Sequence, residues 1–156
     1  MLINENEVSL EVLLNLFKSI KVPASIVEVA PAVPKLKLAR DAYLEVSFPN
    51  ALPVIIWIDT QSKSQLRFRV VVANREEREK FQDDDLRDWA AGSNQQLDCF
   101  GAVSTEGLNI TLEHRLPYQG AIASSTIMSV ARCIAEGAMA AQQALADLEA
   151  ISVASQ

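Results

Sequence analysis

Near the start of the chain, Leu10, Leu13, Leu14, Phe17 and Ile20 recur at spacings of three and four. That gives one apolar stripe and predicts a helix over residues 5–20. Asn4 stands where it can cap this helix, Glu5 and Glu7 suit its positive end, and Lys18 and Lys21 suit the other. Pro23 stops it. The pattern then changes period. Ser25–Ala30 is a short β-rich run ended by Pro31 and Pro34, and Lys35–Leu38 is a candidate small edge strand. In Tyr43–Phe48, Leu44, Val46 and Phe48 face one way and Tyr43, Glu45 and Ser47 the other. Val54–Asp59 is apolar on both faces, which predicts a central strand covered on both sides. Thr60–Ser64 reads as a hairpin loop. Gln65–Val72 alternates again, with Leu66, Phe68, Val70 and Val72 inward and Arg67 and Arg69 outward.

Helical character returns over Asn74–Asn94, in two pieces. Arg75–Phe81 is charged and weakly amphipathic, and Leu86–Ala91 follows Asp83, Asp84 and Asp85, with Gly92 as its stop. Leu97–Ser104 and Leu108–Leu116 form a hairpin across Thr105-Glu106-Gly107, where the glycine supplies a positive φ. Leu108, Ile110 and Leu112 are expected to face in, and Asn109, Thr111, Glu113 and Arg115 out. The longest stripe runs from about Ser125 to Leu148 through Ile127, Val130, Ile134, Ala138, Ala141 and Leu145. Ser124 and Ser125 are its candidate caps, Gly137 permits close packing, and Ala150–Gln156 is expected to fray. The order α-β-β-β-α-β-β-α predicts an α+β fold. An antiparallel sheet of about five strands carries the helices, in one domain over residues 1–156.

Composition narrows the function more than it defines it. Apolar residues make up 49 % of the 156 positions, enough for a core that needs no disulfide or metal staple. The net charge of −6 argues against nucleic acid and anionic membrane as partners, because both require clustered cations. The longest apolar run, Leu52–Ile58, is of strand length and falls far short of a membrane span. Met1–Val8 lacks a basic segment, so the cytoplasm is the expected compartment.

Candidate chemistry is sparse. His114 is the only histidine and shares the inward parity of Leu112, so a structural or interface role is expected. Cys99 and Cys133 are far apart in sequence and read as small buried thiols. Arg132 adjoins Cys133, but successive helix residues point about 100° apart, which gives weak support for a thiolate. One histidine and two separated cysteines do not make a conventional zinc site. Asp83-Asp84-Asp85 matches no calcium loop and suits the start of a helix. Glu76-Glu77-Arg78-Glu79-Lys80 reads as a solvated face. No nucleophile elbow, phosphate loop or dinucleotide fingerprint occurs. Thus no catalytic residue, cofactor site or metal site is expected. Trp89 reads as core, and the alanines Ala131, Ala135, Ala138 and Ala141 as packing on the sheet. Trp57 is different. It lies in the strand that is apolar on both faces, and its second face is covered either by other helices or by another subunit. Ile55, Trp57, Arg67 and Arg69 are therefore the candidate partner or dimer surface.

Residues 86–116 also resemble the YbjN family. The likeness rests on Asp85-Leu86-Arg87-Asp88-Trp89 with Asn94, on Leu97–Val103, on the turn Thr105-Glu106-Gly107-Leu108, and on Leu112-Glu113-His114-Arg115-Leu116. Gly120 and Ser124-Ser125 stand where that family has its linker and cap. The element order resembles the type III secretion chaperone fold as well. Pro31, Pro34, Pro49 and Pro53 depart from the family pattern. The resemblance implies a homodimer with a chaperone or regulatory role, acting on a client protein or on itself, without catalytic residues. The expected mechanism is capture of an extended client segment. A small-molecule-sensing regulatory domain is the alternative.

Overall fold

The computed structural model describes residues 1–29, 42–59, 64–96, 101–105 and 107–155. The chain begins with β1 (Leu2–Asn4), a single 3-10 turn (Glu5–Glu7) and α1 (Leu10–Ser19). Four strands follow: β2 (Ala24–Glu28), β3 (Ala42–Val46), β4 (Val54–Asp59) and β5 (Gln65–Ala73). Then come α2 (Arg75–Arg78), α3 (Asp83–Gln96), β6 (Ala102–Ser104), β7 (Ile110–Pro117), β8 (Ala121–Ala123) and α4 (Ser124–Ala154). The fold is α+β. Its main sheet is antiparallel and six-stranded, in the order β2-β3-β4-β5-β7-β6. A separate ribbon pairs β1 with β8.

One face of the main sheet makes the core. Leu44, Val46, Val54, Ile56, Leu66, Phe68, Val70, Ile110 and Leu112 are fully buried there. Each fully buried side chain of this kind contributes about 1.5–3 kcal/mol relative to exposure. α1 packs over β2 and β3 through Leu13, Leu16 and Phe17, while α4 lies over β5 and β7. Phe17 meets Phe48 edge-on, with centroids 6.4 Å apart, and Arg132 of α4 lies over the same Phe48 ring. The α4 stripe Ile127, Val130, Ile134, Ala138, Ala141 and Leu145 is buried as its spacing predicts, and Ala131 and Ala135 are buried beside it. Gly137 is buried too.

Several sequence expectations are corrected. The first helix starts at Leu10 rather than at residue 5. Ser9 caps it, its hydroxyl accepting the Val12 N–H at 3.2 Å. Asn4 instead bonds Glu7 and closes the 3-10 turn. Ile20 is 39 % exposed, and Leu16 takes the buried place in the stripe. Gly92 does not stop α3, which runs on to Gln96; a Cβ added at Gly92 would meet nothing. Leu108 does not face in. It is 64 % exposed, because the turn extends to Ile110, while Gly107 has the positive φ expected of it. Ser124 and Ser125 are not caps. Ala123 is the N-cap residue, and the Ser124 N–H reaches the Met1 carbonyl at 2.9 Å. Ala150–Ala154 is helical rather than frayed. Cys133 is half-buried, not buried. Trp89 is half-buried against the core, and its buried indole N–H has no acceptor among the described residues. The candidate strand Lys35–Leu38, residues 60–63 of the hairpin loop, and residues 97–100 with Cys99 lie outside the described residues.

A bulge sharpens the division between the faces. Val71 pairs with Thr111 and Ala73 with Ile110, which leaves Val72 as the extra residue on β5. Val72 and Ala73 both become buried as a result. At the far edge, the Asn94 side chain works as a substitute strand. Its Oδ1 accepts the Val103 N–H at 2.7 Å, and its Nδ2 donates to the Val103 carbonyl at 3.2 Å. Thus α3 shields the backbone groups that β6 would otherwise present at an open edge.

Candidate functional site

The second face of the main sheet is built from the alternate residues of the same strands. None of its side chains on β3, β4, β5 or β7 is buried. Val54–Asp59 is therefore central in the sheet but not covered on both sides. Val54 and Ile56 are enclosed by the core, whereas Ile55 and Trp57 are half-buried on the outer face.

Register determines which outer residues meet. One row runs from Glu45 through Ile55 and Arg69 to Glu113, each paired with the next across adjacent strands. The neighbouring row places Trp57 opposite Arg67 and Arg67 opposite Arg115. Trp57 therefore has Arg67 directly across and Arg69 on the diagonal, both within reach of a large ring. The Arg67 guanidinium carbon lies 5.2 Å from the Trp57 ring centroid, and that of Arg69 lies 4.9 Å away. Such stacks are worth about 0.5–1 kcal/mol each where solvent reaches them.

Carboxylates hold both cations in place. Arg67 Nη1 approaches Asp59 Oδ2 at 3.5 Å, and Gln65 Nε2 donates to the same oxygen at 3.2 Å. Arg69 Nε donates to Glu113 Oε1. The partly open Arg69–Glu113 pair adds only about 0–1 kcal/mol of stability, and the Arg67–Asp59 pair is more enclosed. Their larger effect is orientation, because a guanidinium fixed through one edge keeps its remaining N–H groups aimed outward.

Tyr43, Ile55, Trp57, Arg67 and Arg69 line a hollow of about 280 Å³. The four residues expected as a surface thus converge on one place. Tyr43 completes it; Arg115 stands opposite Arg67 on β7 but lines other hollows. Both were legible as outward-facing in the alternation of their own strands. What the sequence did not supply was the register that brings Tyr43, Arg67 and Arg69 together around Trp57.

A second and larger hollow, about 620 Å³, opens between β7 and the first turns of α4. His114, Leu116, Ser125, Thr126, Ser129 and Val130 are among its walls. The His114 ring sits 6.3 Å from that of Phe68 at a tilt of 52°. Burial pushes its pKa below the ordinary histidine value, which favours neutral imidazole at pH 7. A neutral imidazole beside three hydroxyls can both donate and accept hydrogen bonds.

The remaining candidates lie elsewhere. Asp83, Asp84 and Asp85 occupy the first turn of α3, where Asp83 and Asp84 pair with Arg78 and Arg87 at 3.2 Å each. The charged run 76–80 lies on or beside α2 and is mostly exposed. Among the described residues, no group of three His, Cys, Asp or Glu side chains is placed to hold a metal ion. No described helix is long and apolar enough to cross a membrane. No family model matches the chain, and no curated protein matches it.

Proposed function

We propose that this chain is a non-enzymatic protein-binding module, acting in the cytoplasm as a chaperone or regulatory adaptor of YbjN-like type. Its outer sheet face takes a segment of a client protein. One observation carries this reading: Trp57, a large apolar ring, is held half-exposed between two ordered guanidinium groups on the face of the sheet opposite the core. Half-exposed Trp and Arg side chains in a shallow hollow are the residue types that dominate binding energy at protein interfaces. The other face of the same strands already supplies the core, so Trp57 is not needed there. A homodimer and a secretion-chaperone-like fold type belong to this reading through the resemblance alone.

The test compares the wild-type chain with Trp57→Ala. Partners co-purified from isotope-labelled cells are quantified for each, alongside sedimentation of the purified proteins. A near-stoichiometric partner that the variant loses, while keeping its melting transition, is the expected result. Equal capture by both forms would sink the reading.

The hollow at His114 favours a second reading, a small-molecule-sensing regulatory domain. A metabolite bound there would raise the melting temperature by mass action, and His114→Ala would cancel the shift. A metabolite panel that leaves the wild-type transition unmoved counts against it.

A further inference from the structure

The charges of the outer face balance. Glu45, Asp59 and Glu113 stand there with Arg67, Arg69 and Arg115. The net charge of −6 therefore resides on the rest of the chain, and two copies that meet through this face avoid bringing that excess together. Four of the six charges are matched within the face, Arg67 by Asp59 and Arg69 by Glu113. Two are left over. Among the described residues, the Glu45 carboxylate and the Arg115 guanidinium have neither an ion pair nor a hydrogen bond. They flank the hollow from opposite sides, Glu45 on β3 and Arg115 on β7, and neither lines it. Three strand spacings, about 14 Å, separate them across the sheet. Strand order and register put the midpoint between them among Ile55 and Trp57 on β4 and Arg67 and Arg69 on β5.

We infer that the free chain closes its docking face against a second copy of itself, and that a client segment is captured only as this pair parts. Consider a two-fold axis lying in the plane of a face-to-face contact, through that midpoint and perpendicular to the line joining the two charges. It exchanges the two positions. Glu45 of each copy then meets the partner's Arg115, twice in one interface, and the two Trp57 rings come together near the axis. An aromatic centre with charge pairs at the rim is the ordinary anatomy of a protein interface. A client would have to reproduce both charges at that spacing, whereas a copy of the chain carries them already. The pairing stands on the charges of the face; its regulatory meaning rests on the docking face proposed above.

Sedimentation of the full chain and two charge-reversed variants tests the pairing. The wild type is expected to sediment as a dimer. Glu45→Arg and Arg115→Glu, each alone, set like charges against each other and should weaken self-association about tenfold or more, with unchanged melting transitions. Mixed in equal amounts, the two variants should pair again, because each then meets the opposite charge. A wild type that stays monomeric at every concentration, single variants that dimerise as the wild type does, or a mixture that stays monomeric overturns the pairing. A dimer indifferent to Trp57→Ala overturns it as well. Client capture separates this inference from the docking face. Either monomeric variant should take up more of the co-purified partner than the wild type does. Equal uptake overturns the competition and leaves the docking face standing. No Trp57-dependent partner on any form overturns the docking face, and the competition with it, and leaves the pairing standing.

Discussion

Leu66, Phe68 and Val70 on β5 are fully buried, while Arg67 and Arg69 between them are only partly buried and stack on Trp57. Both sets come from one continuous strand, separated only by the two-residue alternation of side chains. The inner set contributes most of the stability and tolerates little change. The outer set holds its shape through cation–ring stacking and ion pairs, which contribute little to stability but set direction. A sheet can therefore be divided in function without being divided in structure.

The sharpest way to break this comparison is to truncate one aromatic on each face. Phe68→Ala removes a fully buried ring and should cost about 3–5 kcal/mol, read from urea unfolding. Trp57→Ala, a larger truncation by volume, should cost only about 1 kcal/mol, because the ring is half-exposed and stacked rather than enclosed. Comparable losses from the two would show that the outer face is core after all.

An intermediate effect is expected at the sheet edge. Asn94→Ala removes two hydrogen bonds and leaves the Val103 N–H and carbonyl without their partners. A loss of about 1–3 kcal/mol follows, with faster aggregation as the edge opens. Amide exchange at Val103 measures it directly, and unchanged protection there would show that α3 shields the edge by other means.

The smallest effect concerns His114, which stands between the two regimes on an inward position at the end of the core. Burial lowers its folded pKa below its ordinary value near 6.5. Between those two values the unfolded chain binds a proton that the native chain does not, so stability rises with pH there. Stability is thus lost as pH falls from 6.5 toward the folded value. Glu5, whose pKa is also lowered, by bonds to Ser64 and Gly120, acts only below the ordinary carboxylate value of 4.5. Urea midpoints measured between pH about 7.5 and about 5.5 therefore isolate the histidine. His114→Gln should flatten the slope in that interval, and an unchanged slope would assign it elsewhere.

The face of each strand was legible wherever polar and apolar residues alternate, as in Tyr43–Val46 and Leu66–Val70. Val54–Asp59 shows where that reading ends. With Ile55 and Trp57 both apolar, the strand looks covered twice, and only the pairing of Trp57 with Arg67 explains how a half-open tryptophan is accommodated. Register is a relation between two strands, so no single strand contains it. The β1–β8 ribbon was missed because three residues are too few to show a period. Gly92 misled because glycine's cost of about 1 kcal/mol in a helix is small beside the packing of Leu86 and the bonds of Asn94 to Val103. Asn94 itself was noticed only as part of a family resemblance, with no hint that its amide closes a sheet edge.

The pairing of Leu2–Asn4 with Ala121–Ala123 sets a clock on the birth of the molecule. Glu5 finds Gly120 across 115 positions of chain, and that partner does not exist until most of the protein has been made. At about 5–20 residues per second, the first strand waits roughly 6–24 s on the ribosome with its pairing edge unfilled. Formation of the ribbon is therefore a late event in synthesis, by which time all six strands of the main sheet have been translated.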